Sequence, residues 1–214
     1  MKYRAIIFDL DGTLADTLPL CIRAFRESIE PLINRQVSDV EILATFGPSE
    51  EGTITALAPD HFDKGMESYL QSYVRYHSMC SKPFAGMEVV LENLMQKGTR
   101  IFMVTGKGKR TADISLEYLK LTKYFELIET GSPDGPRKVE GIREILKAIP
   151  EIPKDEVIYV GDSPGDVEAS RATGIPVIGA AWAENADHSK LAAQKPDQLF
   201  YTVPEFAVWL DAHT

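Results

Sequence analysis

Two acidic residues with one residue between them close the first apolar run of the chain, in Phe8-Asp9-Leu10-Asp11-Gly12-Thr13-Leu14. Along extended chain, a spacing of two points both side chains the same way. Asp11-Gly12 is also good turn chemistry, but two like charges side by side at the end of an apolar strand repel unless a cation neutralises them. Such a pair can divide labour: one carboxylate attacks an electrophile while the other handles a proton, and a divalent ion relieves the repulsion. A second acidic cluster stands far downstream, in Gly161-Asp162-Ser163-Pro164-Gly165-Asp166. Asp162 is a good helix N-cap and Pro164 a good first helical residue, yet capping is compatible with metal binding. A hard octahedral ion such as Mg²⁺ favours carboxylate oxygens, so Asp162 and Asp166 could complete a site that Asp9 begins.

A basic turn, Thr105-Gly106-Lys107-Gly108-Lys109-Arg110, opens a helix-period segment. Cations at a helix N-terminus oppose the macrodipole, so this turn is unfavourable unless an anion binds nearby, although long side chains can also swing away into water. Lys138 opens the next helical segment in the same unfavourable way, beside Arg137. Carboxylate pair, hard metal, hydroxyl and lysine are the inventory for phosphoryl transfer, where anionic oxygens must be neutralised from several sides.

The elements that would gather these groups are legible as alternating patterns. Short apolar runs cover Tyr3 to Phe8, Arg100 to Val104, Phe125 to Glu129, Val157 to Val160, Pro176 to Gly179 and, weakly, Gln198 to Tyr201. Between them, Val89 to Lys97, Ala112 to Leu121 and Val139 to Ile149 carry helical periodicity. That alternation predicts an α/β fold with a doubly wound parallel sheet, a Rossmann-like core whose ligands bind at the carboxyl ends of the strands. One stretch breaks the rhythm. From about Thr17 to Lys82 there are only amphipathic helices, over Leu18 to Ile33, Ser38 to Phe46, Ser49 to Leu57 and Phe62 to His77. The expected organisation is a core of residues 1–16 and 83–214, with residues 17–82 inserted after the first strand as a helical cap.

The 214 residues carry 23 basic and 32 acidic side chains, a net charge of −9, which argues against a nucleic-acid partner. Apolar runs such as Ala5-Ile6-Ile7-Phe8 fall far short of the roughly 18–20 residues of a membrane helix, so no membrane partner is expected and a cytoplasmic location is. Cys21 and Cys80 have neither metal-ligand nor disulfide spacing and read as buried thiols.

These motifs resemble the haloacid dehalogenase-like hydrolase superfamily, specifically its phosphoglycolate-phosphatase-like branch with a helical cap, over nearly the whole chain. The resemblance implies a Mg²⁺-dependent phosphatase acting on a small phosphorylated metabolite through a phosphoaspartate. Asp9 would be the nucleophile, and Asp11 the acid that protonates the leaving alkoxide and then activates water. Thr105 and Lys138 would grip phosphoryl oxygens, with Arg137 as the alternative cation, and Gly12, Thr13, Gly106 and Lys107 would bind substrate. Mg²⁺ would be held by Asp9, the Asp11 backbone carbonyl and Asp162, with Asp166 assisting. Two positions depart from the branch: Gly106 replaces the usual Asn, and Val139 follows Lys138 where Pro is common. A capped sugar phosphomutase is the nearest alternative, with a phosphonate hydrolase or dehalogenase less favoured. A phospho-accepting receiver is another class, but its phosphorylated Asp follows strand three, where this chain has Glu129-Thr130-Gly131. A monomer or homodimer is expected.

Overall fold

The computed structural model describes residues 2–184 and 186–214. Among the described residues, six parallel strands form one sheet: β1 (Ala5–Phe8), β2 (Arg100–Val104), β3 (Leu127–Glu129), β4 (Val157–Gly161), β5 (Val177–Ala180) and β6 (Gln198–Phe200). Their order is β3-β2-β1-β4-β5-β6. β1 therefore lies at the centre between β2 and β4, with Ile6 level with both Ile101 and Ile158. The chain leaves β1 towards one side of the sheet and later returns to the other, which opens a crevice at the carboxyl end of β1.

Strand pleating sends alternate residues of β1 to opposite faces, and each face has its own core. Ile6 and Phe8 pack with Met103, Val160, Leu91 and Phe206, whereas Ala5 and Ile7 pack with Val104, Tyr159, Ile142 and Val167. Helices α5 (Met87–Gln96), α6 (Lys109–Tyr118), α7 (Lys138–Ala148), α8 (Pro164–Thr173), α9 (His188–Ala193) and α10 (Val203–Asp211) surround the sheet. The last two were not anticipated from the pattern, α9 being one and a half turns long with Leu191 as its one buried residue.

Between β1 and β2 the chain forms α1 (Leu18–Ile33), α2 (Asp39–Leu43), α3 (Glu50–Leu57) and α4 (Phe62–Tyr76), with no strand. α2 is shorter than the expected Ser38 to Phe46, and Ser38 with Glu41 forms a capping box at its start. The stacked rings of Phe25 and Tyr69, 4.3 Å apart, join α1 to α4. The outgoing and returning connections touch, the Phe84 N–H donating to the Leu14 carbonyl at 3.0 Å. Elsewhere the shifts from expectation are small: α6 starts at Lys109 instead of Ala112, β3 starts two residues late, and β5 runs to Ala180. None of the described helices is long and apolar enough to cross a membrane.

Candidate active site

Asp9 is the residue after β1 and continues the ladder by donating its N–H to the Val160 carbonyl at 2.9 Å. It is 4% exposed. Its Oδ1 accepts from the Leu10 N–H at 2.7 Å and its Oδ2 from Lys138 Nζ at 2.7 Å. The chain then turns sharply, with Gly12 at φ 73°. Only glycine fits here: a Cβ at Gly12 would lie 2.2 Å from Asp162 Oδ2, so the bare backbone lets the Asp162 carboxylate approach the turn.

Asp162, Ser163 and Asp166 follow β4. Ser163 is the N-cap of α8 and forms the capping box with Asp166, which corrects the assignment of that role to Asp162. Asp162 is thereby released to face the cleft, its Oδ1 receiving a long 3.4 Å contact from the Thr13 hydroxyl. Asp166 is fully buried and saturated. Its Oδ1 accepts from Lys138 Nζ at 2.5 Å and from the Tyr159 hydroxyl at 2.9 Å, and its Oδ2 from the Ser163 N–H at 3.0 Å and Oγ at 2.6 Å. Lys138 at the start of α7 thus bridges Asp9 and Asp166. The alternative cation, Arg137, turns to Glu129 at 2.7 Å and the Thr130 carbonyl at 3.0 Å.

Burial pushes the Asp9 carboxyl above its ordinary range, with Lys138 pulling the other way and Asp166 and Asp11 adding to the rise. Asp162 is raised by burial and then by Asp166 and Asp9. Burial works to lower the Lys138 pKa, but the Asp166 and Asp9 carboxylates outweigh it and keep the ammonium charged. Carboxylate oxygens of Asp9, Asp162 and Asp166 lie within 4.8 Å of one another, an all-oxygen donor set suited to a hard cation.

Asp11 points elsewhere. Its Oδ1 accepts from the Thr17 hydroxyl and lies 3.1 Å from Lys107 Nζ. Lys107 was expected in a basic turn open to substrate, but it is 5% exposed. Its ammonium also reaches Glu50 Oε1 at 3.5 Å and the Cys21 sulfur at 3.2 Å, and sits 4.8 Å above the Tyr73 ring. Glu50 opens α3 and binds the N-terminus of α6, its Oε2 accepting from the Gly108 N–H at 2.6 Å and its Oε1 from the Thr111 hydroxyl. Next to it, Glu51 pairs with Arg110 at 3.3 Å. The anion that the basic turn demanded is therefore a pair of carboxylates from the helical insertion. Cys21 and Cys80 are free and buried, and burial pushes the Cys21 thiol up to about 12.

A cleft of about 690 Å³ gathers these groups. Asp9, Asp11, Gly12, Gly106, Lys107, Lys138 and Asp162 line it, together with Glu50. Thr13, Thr105 and Asp166 do not. Thr105 is 2% exposed and its Oγ1 accepts the Lys107 N–H at 3.2 Å, so it shapes the turn instead of facing the cleft. At Gly106, where an Asn was expected by resemblance, a Cβ would meet only Lys138 Cε at 3.9 Å. Glu50 and Tyr159 escaped the sequence reading. Tyr159 left a trace as a polar tip in the buried strand Val157-Ile158-Tyr159-Val160, whereas an acid in the first turn of a short helix signals nothing beyond the dipole.

The sequence pattern of the haloacid dehalogenase-like hydrolases matches residues 6–180. The chain belongs to that family. It is accordingly an enzyme, a hydrolase with the parallel α/β sheet and helical insertion seen above. Among its relatives, the pyrophosphatase PpaX of Anoxybacillus flavithermus is 29% identical over 203 residues, covering 92% of each chain. Similar solved structures include a predicted phosphoglycolate phosphatase from Haemophilus somnus, with a TM-score of 0.81, 20% identity and coverage of 100% and 99% of the two chains. CbbY from Rhodobacter sphaeroides, solved with phosphate, is also similar, with a TM-score of 0.78, 19% identity and 94% coverage of each chain.

Proposed function

We propose that this haloacid dehalogenase-like hydrolase is a Mg²⁺-dependent phosphatase that cleaves a small phosphorylated metabolite through a phosphoaspartate at Asp9. The observation that carries the reading is the constellation at the end of β1. A buried Asp9 is bridged by Lys138 to Asp166, with Asp162 in reach and Asp11 two residues away. Asp9, the Asp11 backbone carbonyl and Asp162 would hold the metal, because Gly12 leaves room for Asp162 and the donors are all oxygen. Asp166 assists from behind, since four protein donors already fill its oxygens. When bound, the divalent ion offsets the carboxylate charge and polarises the phosphoryl group.

Asp9 attacks phosphorus as the bond to the alcohol oxygen breaks, and Asp11 gives the departing oxygen a proton. Water then attacks the phosphoaspartate, Asp11 takes a proton from it, and phosphate leaves with the Asp9 carboxylate restored. Lys138 faces the developing phosphoryl charge, held in place by Asp166. Thr17 and Lys107 both engage Oδ1 of Asp11, which leaves Oδ2 for the proton. Residues 17–82 act as the cap that covers this chemistry and keeps bulk water away. A receiver-type reading is disfavoured because Glu129, at the end of β3, is tied to Arg137.

The test is phosphate release from acetyl phosphate and p-nitrophenyl phosphate. Turnover with Mg²⁺, its loss in chelator and its return on adding Mg²⁺ are expected. Full activity in excess chelator would remove the metal from the scheme.

A further inference from the structure

The cleft is acidic and apolar at once. Among the described residues that line it, six are carboxylates, Asp9, Asp11, Asp16, Glu50, Asp162 and Glu168, and two are cations, Lys107 and Lys138. Both cations are committed: Lys138 to Asp9 and Asp166, and Lys107 to Asp11 and Glu50. The part of the lining contributed by the helical insertion holds no Lys, Arg or His. Arg75 and His77 of the insertion do not line the cleft, and the His77 ring bonds to Ser115 Oγ at 3.0 Å.

What the insertion offers is a wall of Leu18, Phe25, Leu43, Phe46 and Pro48. Leu43 and Phe46 remain 40% and 41% exposed, and the Phe46 ring is braced at 6.0 Å on Phe25, itself stacked on Tyr69. Large apolar side chains left in water at the rim of a concave site mark a surface that a ligand covers. With the divalent ion and Lys138 engaged by the transferred phosphoryl group and Lys107 by Asp11 and Glu50, the described lining offers no further cation for a second carboxylate or phosphate on the leaving group.

We propose that the substrate is the phosphomonoester of an uncharged alcohol carrying an apolar group, seated against the wall of Leu18, Leu43, Phe46 and Pro48, and is neither an inorganic nor a carboxylated phosphate. The inference rests on the phosphatase reading above. It sets this chain apart from the activity in the name of its pyrophosphatase relatives.

The experiment measures phosphate release by the full chain with Mg²⁺ from acetyl phosphate, 2-phenylethyl phosphate, phosphoglycolate and pyrophosphate. Acetyl phosphate is activated and too small to depend on the wall, so it reports the phosphoryl site by itself. The expected kcat/KM for 2-phenylethyl phosphate exceeds those for phosphoglycolate and pyrophosphate by about a hundredfold. Phe46→Ala, at a half-exposed position, should lower the ratio of kcat/KM for 2-phenylethyl to acetyl phosphate about tenfold, mainly through KM. Leu43→Arg should raise turnover of phosphoglycolate. Turnover of acetyl phosphate with phosphoglycolate or pyrophosphate equal to or better than 2-phenylethyl phosphate would overturn the inference and leave the phosphatase reading standing. An unchanged ratio in Phe46→Ala would overturn it as well. No turnover of any of the four would strike the phosphatase reading itself.

Discussion

The carboxylate of Glu50 lies 3.5 Å from the ammonium of Lys107, and both groups are buried. The pair joins the first turn of α3 to the turn before α6 and so fastens the helical insertion to the sheet domain. Burial raises the Glu50 carboxyl against the pull of Lys107 and the Thr111 hydroxyl, while Lys107 stays charged because Asp11 and its other neighbours outweigh its own desolvation. Removing one member leaves a buried charge under-compensated, which costs about 3 kcal/mol or more. Glu50→Ala should therefore lower the urea midpoint strongly. Glu50→Ala combined with Lys107→Met should cost less than the two single losses added together. Additive losses in a double-mutant cycle would show that the two groups do not act as a pair.

Asp11 and Asp9 are two residues apart but face different partners, and their substitutions should differ accordingly. Asp11→Asn should slow both half-reactions for alkyl phosphates. For p-nitrophenyl phosphate, whose leaving group scarcely needs a proton, the first step should survive, giving a burst of p-nitrophenol followed by slow turnover. Equal losses for both esters with no burst would assign the proton transfer to another group.

Lys138 sits between two carboxylates and should matter to both catalysis and stability. Lys138→Met should reduce kcat by about 10²–10³-fold, the scale for losing one preorganised electrostatic partner. It should also melt below the parent in chelator, since Asp9 and Asp166 then repel without relief. Mg²⁺ should raise the melting temperature of Lys138→Met by more than it raises that of the parent. An equal rise in both would argue against a shared carboxylate site for the ion.

His77 gives the fold a pH dependence of its own. Burial lowers its pKa from the ordinary 6.5. Below pH 6.5 the unfolded chain takes up the proton before the folded one does, so stability falls as pH drops from 6.5 through the folded-state value. Above 6.5 the histidine is neutral in both states and contributes no slope. Chemical melts across this range should show the decline, and His77→Gln should flatten it. An identical pH profile in the variant would place the effect on other groups.

The legibility of this chain follows from how local each signal is. β1 and its two aspartates could be read because apolar run, carboxylates and glycine turn are contiguous in Ala5 to Gly12. The inserted helices were visible because some 65 residues carry helical periods without a strand. By contrast, the Glu50–Lys107 pair joins positions 57 residues apart, and nothing near either residue names its partner. The basic turn did register as anomalous, but its anion came from within the chain instead of from substrate. The cap of α8 falls on Ser163 and not on Asp162 because the two neighbours carry the same capping chemistry in sequence, and only the backbone shows which oxygen meets the Asp166 N–H.

The proposed scheme turns on Asp9 carrying the phosphoryl group. It is tested most directly by mixing Asp11→Asn with p-nitrophenyl phosphate labelled in its phosphoryl group, quenching in acid during the slow phase, and mapping the label by peptide. The expected result is an acid-stable, hydroxylamine-labile phosphoryl group on the peptide containing Asp9, formed at close to one per active site and absent when Asp9 is also changed to Asn. Label on another residue, or continued slow turnover with no labelled protein, would contradict it.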